Sequence, residues 1–126
     1  MISTVRNNKS AFTLVEIMIV VAIIGLLAAL AIPGFVKARK QSQGRRIIND
    51  ARQMDAAIDQ WALENGKKDG DTVDTTGAAT YLKTAWNTND LLGAAYVVST
   101  VGSNQVKIAA TTKSALQNVG IDWGPY

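Results

Sequence analysis

Glu16 has the most unusual setting in this sequence, because it is a carboxylate beside a long apolar stretch. Residues Ile17 to Val36 are twenty consecutive uncharged positions, nearly all apolar. As a helix rising about 1.5 Å per residue, they span the roughly 30 Å hydrocarbon core of a bilayer. A charge at the centre of such a helix costs about 2.5 to 3.5 kcal/mol. Glu16 therefore either snorkels to the membrane interface or pairs with a partner charge.

The composition excludes most catalytic and metal chemistry. The 126 residues contain no His and no Cys, which removes thiol nucleophiles, histidine bases, Cys/His zinc sites, haem ligands and disulfides. An enzyme would need a Ser/Lys or paired-carboxylate site, and the acids beyond the apolar stretch show no shared helical face. Asp69, Asp71 and Asp74 share one predicted loop, residues 66–76, but lack the twelve-residue calcium ladder with its closing Glu. We predict no enzyme activity, no catalytic residue, no cofactor and no metal ligand.

The basic residues form a collar around the apolar stretch. Arg6 and Lys9 precede it, and from Gln53 onward five Lys are outnumbered by eight Asp and Glu. Such a juxtamembrane collar favours contact with lipid headgroups or solvent, so we expect membrane lipid and no nucleic acid as a partner. The cations that follow the stretch are Lys37, Arg39, Lys40, Arg45, Arg46 and Arg52.

One long helix is predicted to position these groups. The apolar pattern runs from Phe12 to Glu64, about 80 Å at helical rise, with kinks expected near Pro33 and Gly44. Its second half is amphipathic, and Asn65-Gly66 is a typical C-terminal stop. The residues predicted to form the buried stripe of this half are Ile47, Ala51, Met54, Ile58 and Trp61.

The remaining residues are predicted to form a small head on that stripe. A short helix is expected from Ala78 to Trp86, with Ala79, Leu82 and Trp86 facing inward. Alternation predicts strands Tyr96–Thr100 and Val106–Thr111 around a hairpin turn at residues 102–104. The segment from Gly120 to Tyr126 is expected to pack back as an ordered coil. The predicted fold class is α+β, a long N-terminal helix (membrane half plus amphipathic half) packed on a small antiparallel β-sheet.

The segment Lys9-Ser10-Ala11-Phe12-Thr13-Leu14-Val15-Glu16 resembles the processing site of the type IV pilin and pseudopilin family. In that family a leader ends in a small residue, and cleavage exposes an aromatic residue whose amine is then methylated. The resemblance implies a cut between Ala11 and Phe12. Gly usually precedes the cut, so the Ala in this chain implies slower processing.

Counted from Phe12, the fifth, fourteenth and twenty-second positions also match the N-terminal helix of the family; they are Glu16, Gly25 and Pro33. The resemblance implies that Glu16 pairs with the Phe12 amine of a neighbouring subunit in an apolar filament core. It also implies that the helix loosens between Gly25 and Pro33 when subunits leave the bilayer. Close helix packing at Gly25 and a simple kink at Pro33 are the alternatives.

The resemblance implies a pilin-like fold with four parts: a leader (1–11), a transmembrane and assembly helix (12–36), an amphipathic helix (37–65) and a head (66–126). The implied function is a pseudopilin subunit whose filament drives protein export by type II secretion. The tract Asp90 to Tyr96 resembles an incomplete D-x-x-G-N-P-Y motif of major pseudopilins, in which the Asn and the Pro are both missing. A pilin of a type IV pilus, acting in adhesion, motility or DNA uptake, is the alternative. Calcium often sits in the C-terminal loops of major pseudopilins, but only Asp122 follows the second strand here, so no ligand is carried over.

The implied partners are further copies of the chain, minor pseudopilins, the prepilin peptidase and methyltransferase, and an inner-membrane assembly platform with its ATPase. The implied location is a single pass in the bacterial inner membrane, with the head in the periplasm and the filament periplasmic or on the surface. The positive-inside count favours the opposite orientation, since five cations lie within ten residues after the span. We follow the processing motif, which is more specific than a charge count.

An exported binding module with a conventional signal peptide is a competing interpretation. Arg6 and Lys9 would form its basic region, Ile17 to Leu27 its apolar region, and Ala29-Leu30-Ala31 its cleavage site. Glu16 and the apolar continuation to Val36 argue against it.

Overall fold

The structure is a computed structural model that describes residues 11–126, so most of the predicted leader lies outside the described residues. The described residues divide into two compact units, with the boundary between Val36 and Lys37. A long helix and a small two-stranded antiparallel sheet confirm the predicted pilin-like α+β class. The elements are α1 (Leu14–Glu64), α2 (Thr75–Ala79), β1 (Val97–Val98), β2 (Val106–Lys107) and α3 (Ala110–Ala115).

Helix α1 is continuous over 51 residues and includes Pro33. Neither Pro33 nor Gly44 interrupts it, and bending at either residue stays a prediction. Gly44 is buried against the C-terminal coil, where a β-carbon would lie 2.2 Å from Cδ1 of Ile121. Glycine therefore lets the Ile121 side chain pack directly on α1, and a larger residue would force that side chain to move.

The end of α1 is a Schellman motif, as Asn65-Gly66 predicts. Gly66 is left-handed with a φ of 61°. The Lys67 amide donates to the Ala62 carbonyl at 2.8 Å, and the Gly66 amide donates to the Leu63 carbonyl at 3.4 Å. These two bonds satisfy carbonyls that the helix end would otherwise leave open.

The predicted stripe on the second half of α1 is confirmed as the centre of the core. Ile47, Ala51 and Ile58 are completely buried, and Met54 and Trp61 are nearly so. Full burial of one such large aliphatic side chain stabilises the fold by roughly 1.5 to 3 kcal/mol. The stripe packs against side chains of the head, among them Tyr96, Val106, Ile108 and Leu116.

The sheet is shorter than predicted, and the second strand was extended too far. Val97 pairs with Lys107 and Val98 with Val106. The alternation that predicted β2 holds, with Val106 buried and Lys107 exposed. Residues 110–111 were wrongly assigned to the strand, because helix α3 begins at Ala110.

The helix predicted at Ala78–Trp86 was also misplaced, since α2 spans Thr75–Ala79. Asp74 is its N-cap, and the carboxylate of Asp74 accepts a hydrogen bond from the Thr76 amide at 3.0 Å. This cap starts the helix three residues early. Ala78 rather than Ala79 is fully buried, while Leu82 and Trp86 pack against the core from turns beyond the helix.

The C-terminal coil packs back on the head as predicted. Ile121, Trp123 and Tyr126 are partly buried against the core. The Gln41 side-chain amide donates to the Val119 carbonyl at 2.6 Å and ties this coil to helix α1.

Candidate processing and assembly site

The predicted cleavage site lies in a short segment without regular secondary structure, just before α1. Ala11 is exposed, and 80% of Phe12 is exposed. A peptidase needs an accessible backbone outside regular secondary structure, and the segment provides one at this position. The basic residues Arg6 and Lys9 of the leader lie outside the described residues.

Glu16 closes the first turn of α1 together with Thr13. The Glu16 amide donates to Oγ1 of Thr13 at 3.3 Å, and the Thr13 amide donates to Oε2 of Glu16 at 3.4 Å. This reciprocal pair is a capping box, which satisfies two amides of the helix end. Its signature, Thr followed by Glu three residues later, is visible in the sequence and was overlooked. Glu16 thus has a partner within its own chain besides the one expected between subunits.

The apolar half of α1 exposes its side chains along its whole length. Leu14, Leu30 and Phe35 are each at least 70% exposed. An 18-residue stretch of α1 has a mean hydropathy of 2.9, long and apolar enough to cross a membrane. Such a surface requires lipid or other protein chains to cover it. Next to Glu16 it forms a shallow apolar groove of about 290 Å³ lined by Phe12, Ile17, Val20 and Val21.

Gly25 and Pro33 lie on α1 far from Glu16, about 14 Å and 26 Å along the axis at helical rise. Both are within the continuous helix. A β-carbon on Gly25 would meet nothing within 4 Å. No packing partner in the described chain therefore requires glycine at residue 25. Pro33 cannot donate a hydrogen bond to the Ala29 carbonyl, which weakens the helix at that turn.

The tract Asp90 to Tyr96 forms a closed loop despite its missing Pro and Asn. Asp90 is buried, and its Oδ1 accepts hydrogen bonds from the amides of Leu92 at 2.9 Å and Ala94 at 3.0 Å. Its Oδ2 accepts a hydrogen bond from the Thr112 hydroxyl of α3. The Asp90 carboxylate thus holds the loop closed and joins it to α3. Thr112 was not identified from the sequence, because it lies 22 residues away.

A second buried polar link joins α1 to the turn before β2. Gln105 is 1% exposed, and its Nε2 donates to Oδ1 of Asp55 at 3.0 Å and of Asp59 at 2.6 Å. Burial raises the pKa of the Asp55 carboxyl, the Asp59 charge raises it further, and the hydrogen bond from Gln105 opposes both effects. Sequence reasoning missed this link because the partners are 46 and 50 residues apart.

Two of the three carboxylates of residues 66–76 have separate structural roles. Asp71 accepts a hydrogen bond from the Lys68 amide at 2.8 Å, and Asp74 caps α2. Within residues 11–126, no three His, Cys, Asp or Glu side chains are arranged to hold a metal ion.

Comparison with known proteins assigns the N-terminal region. Residues 6–32 match the family model of the prokaryotic N-terminal methylation motif. The type IV major fimbrial protein FimA of Dichelobacter nodosus is 39% identical over 90 residues, which cover 71% of this chain and 51% of that protein. The type II secretion system core protein G of Pseudomonas aeruginosa is 40% identical over 60 residues, 48% of this chain and 42% of that protein. Fimbrial protein Q of Moraxella bovis is 37% identical over 79 residues, 59% of this chain and 50% of that protein.

The chain spans about half the length of these curated relatives. No solved structure gives a significant match. By its methylation motif, its likeness to fimbrial and secretion core proteins, and its long helix with a small antiparallel sheet, this chain is similar to the proteins of the type IV pilin-like family.

Proposed function

We propose that this chain is the subunit of a homopolymeric filament, cut between Ala11 and Phe12 by a prepilin peptidase that also methylates the new amine. The observation that carries the proposal is the exposed apolar surface of α1 with a carboxylate at its edge. Lipid covers that surface in the membrane, and neighbouring copies cover it in a filament. The same surface thus anchors the subunit in the membrane and later contacts other subunits in the filament.

Glu16 sets the register between subunits in this proposal. Removal of the leader leaves an ammonium group on Phe12, and burying it in an apolar filament core is costly unless a carboxylate pairs with it. A carboxylate has two oxygens, so Glu16 can hold the Thr13 amide with one and accept from a neighbouring amine with the other. Capping and pairing are therefore compatible.

Gly25 and Pro33 bound the segment that we propose loosens during assembly. Gly is the poorest helix former except Pro, by about 1 kcal/mol relative to Ala. The absence of any contact that a β-carbon on Gly25 would make supports a role in backbone freedom. We also propose the division into a leader, an assembly helix, an amphipathic helix and a head at residues 11, 36 and 65. The end of the first compact unit at Val36 supports the middle boundary.

Of the two roles open to such a subunit, we propose the major pseudopilin of a type II secretion system. The Asp90 loop supports it, because its carboxylate closes a turn where major pseudopilins carry the D-x-x-G-N-P-Y tract. A surface pilin is the second candidate. It is favoured by the longer alignment with fimbrial proteins, which reaches 71% of this chain against 49% for the secretion proteins.

The proposed location is the bacterial inner membrane, with one span and the head in the periplasm. The proposed partners are further copies of the chain, minor pseudopilins, the assembly platform with its ATPase, and membrane lipid before assembly. The collar of cations after Val36 supports the contact with lipid. The fimbrial and secretion relatives support a structural rather than an enzymatic protein.

Gene deletion separates the two roles. Loss of protein secretion with unchanged surface fibres supports the pseudopilin, and loss of fibres with normal secretion supports the pilin. The intact mass of the processed protein tests the cleavage site: a cut after Ala11 removes eleven residues, whereas signal peptidase acting after Ala31 removes thirty-one. The longer loss contradicts the assembly proposal altogether.

A further inference from the structure

Charge is unevenly divided along the part of α1 that belongs to the second unit. Residues 37–52 carry six Lys and Arg and a single acid, Asp50. Residues 53–64 carry three acids, Asp55, Asp59 and Glu64, and no cation. This part of α1, residues 37–64, is called the head helix here. Its first part is basic and its last part is acidic.

This order is opposite to the one that the helix itself favours. The C-terminal end of a helix carries a partial negative charge and is stabilised by cations. The last turn of α1 contains Glu64 and no basic residue. Asp55 and Asp59 also lie one turn apart, where like charges repel. Within the chain these acids have hydrogen-bond donors: Gln105 donates to Asp55 and Asp59, and the Tyr81 hydroxyl donates to Glu64.

The basic part of α1 borders a groove, which we call the basic groove. Four polar residues at steps of four, four and three line one side of it: Gln41, Arg45, Asn49 and Arg52. The coil at residues 120–122 lines the other side, and the groove encloses about 250 Å³. Asp122 also lines it, and its carboxylate accepts a hydrogen bond from the Gly124 amide at 3.0 Å. Two arginines against one acid leave the groove positive.

An exposed acidic loop lies beyond the opposite end of the head helix. Asp69 and Asp71 are both exposed. The loop has a fixed position, because the Gly70 amide donates to the Val101 carbonyl at 2.8 Å and the Val101 amide donates to the Asp71 carbonyl at 2.9 Å. Lys67 in the same region is engaged with the ring of Trp61, 5.7 Å from its centre.

We propose that the basic groove of one copy binds the acidic loop, residues 69–71, of a second copy. Arginine binds carboxylates with paired, charge-assisted hydrogen bonds, and two arginines two turns apart can accept two carboxylates of one loop. The inference rests on the proposed function, since it assigns a head-to-head contact of the filament. It concerns surfaces remote from Glu16.

The positions of the two surfaces determine the kind of assembly. Arg45 and Glu64 are about 28 Å apart at helical rise, so groove and loop lie toward different ends of the head helix. A contact between two different surfaces is heterologous and repeats without closing into a dimer. The positions of the basic groove and the acidic loop thus favour an open chain of subunits.

Cross-linking of assembled filaments tests the contact on the full chain, because copies anchored at one depth in a membrane keep groove and loop about 28 Å apart along the helix axis. The sequence has no cysteine, so any introduced pair reacts without background. Copies with Asn49→Cys and copies with Lys68→Cys, carrying tags of different size, are produced together and treated with a short bismaleimide. We expect a mixed dimer at least tenfold above that of the control pair Lys83→Cys with Lys68→Cys. A mixed dimer no more abundant than the control overturns the proposal.

Charge exchange then identifies the occupant of the groove. Arg45→Glu alone and Asp69→Lys alone should each lower the cross-linking yield about tenfold, and their combination in one chain should restore it within about threefold. Lys83→Glu, an equal charge change elsewhere, should have no effect. Loss in the single variants without recovery in the combination overturns the proposal and assigns the groove to another anion, such as a lipid phosphate. A chain without these substitutions that forms no filaments contradicts the proposed function instead.

Discussion

The apolar segment, residues 12–36, and the second compact unit, residues 37–126, treat their hydrophobic side chains in opposite ways; this unit joins the amphipathic helix to the head and is called the head from here on. In the segment, large apolar side chains such as Leu14 and Leu30 are about three quarters exposed. In the head, Ile47 and Ile58 are completely buried. The head therefore obtains its stability within one chain, whereas the segment requires lipid or other subunits. Substitutions in the segment should consequently affect assembly, and substitutions in the head should affect folding.

The largest effect is expected for Glu16→Ala. In the proposed filament it leaves the Phe12 amine of a neighbour unpaired in an apolar core, a penalty of several kcal/mol that should abolish filaments. Membrane insertion should be unchanged or slightly improved, because a costly charge is gone. Cleavage after Ala11 should also be unchanged. Electron microscopy, membrane fractionation and intact mass measure filaments, insertion and cleavage in turn.

Glu16→Gln is the matched control, because Gln also closes a capping box but carries no charge. If pairing between subunits matters, the Gln variant should be as defective as the Ala variant. Normal filaments from Glu16→Gln would leave capping as the only role of this residue.

The next largest effect is expected for Ile58→Ala, which creates a cavity in the core of the head. The expected loss in the free energy of unfolding is about 2 to 5 kcal/mol. Ile24→Ala makes the same change on the apolar segment, where Ile24 is 60% exposed, and should leave head stability unchanged. Denaturant unfolding monitored by tryptophan fluorescence reports on the head. Equal losses for the two variants would contradict the division between the regions.

Two glycines on the same helix offer a sharper comparison. Gly44→Ala places a β-carbon 2.2 Å from Cδ1 of Ile121, and the resulting overpacking should cost about 1 to 3 kcal/mol. Gly25→Ala meets nothing within 4 Å, so head stability should not change. Thermal unfolding distinguishes the variants. If Gly25 provides backbone freedom for assembly, its Ala variant should fold normally but form fewer filaments.

The smallest effect is expected for Asp55→Asn, and it should depend on pH. The pKa of the Asp55 carboxyl is raised above its ordinary value of 3.8, mainly by burial, so the folded state binds its proton more tightly than the unfolded state. The stability that this residue contributes is complete below pH 3.8 and is lost as pH rises through the raised value.

Asn at residue 55 does not ionise, so the stability of the variant does not fall as pH rises through the raised pKa of Asp55. Its side-chain oxygen can still accept the hydrogen bond from Gln105. The variant should therefore be more stable at pH 7, by a few tenths of a kcal/mol after screening by solvent is considered. The difference should disappear in acid. Unfolding midpoints measured from pH 3 to 7 test the sign, and a variant that is less stable at pH 7 would show that the carboxylate charge itself stabilises the head.

The sequence alone determined the features that depend on neighbouring residues. The apolar run after Glu16 specified a helix of membrane length, the apolar stripe specified the buried face of α1, and Asn65-Gly66 specified its end. Each of these patterns falls within a few helical turns, where backbone geometry fixes which side chains share a face. The processing motif is local for the same reason.

Tertiary structure decided the features that depend on contacts between residues far apart in the sequence. Residues 110 and 111 continue a strand pattern, yet the helical spacing of Thr112 and Leu116 lets the first bind Asp90 and the second enter the core. Gln105 is buried only because two carboxylates of α1 accept its hydrogen bonds. Gly44 matters for packing only because Ile121, 77 residues later, packs on it. The energy of each contact depends on the meeting of two remote segments, which local propensity does not encode.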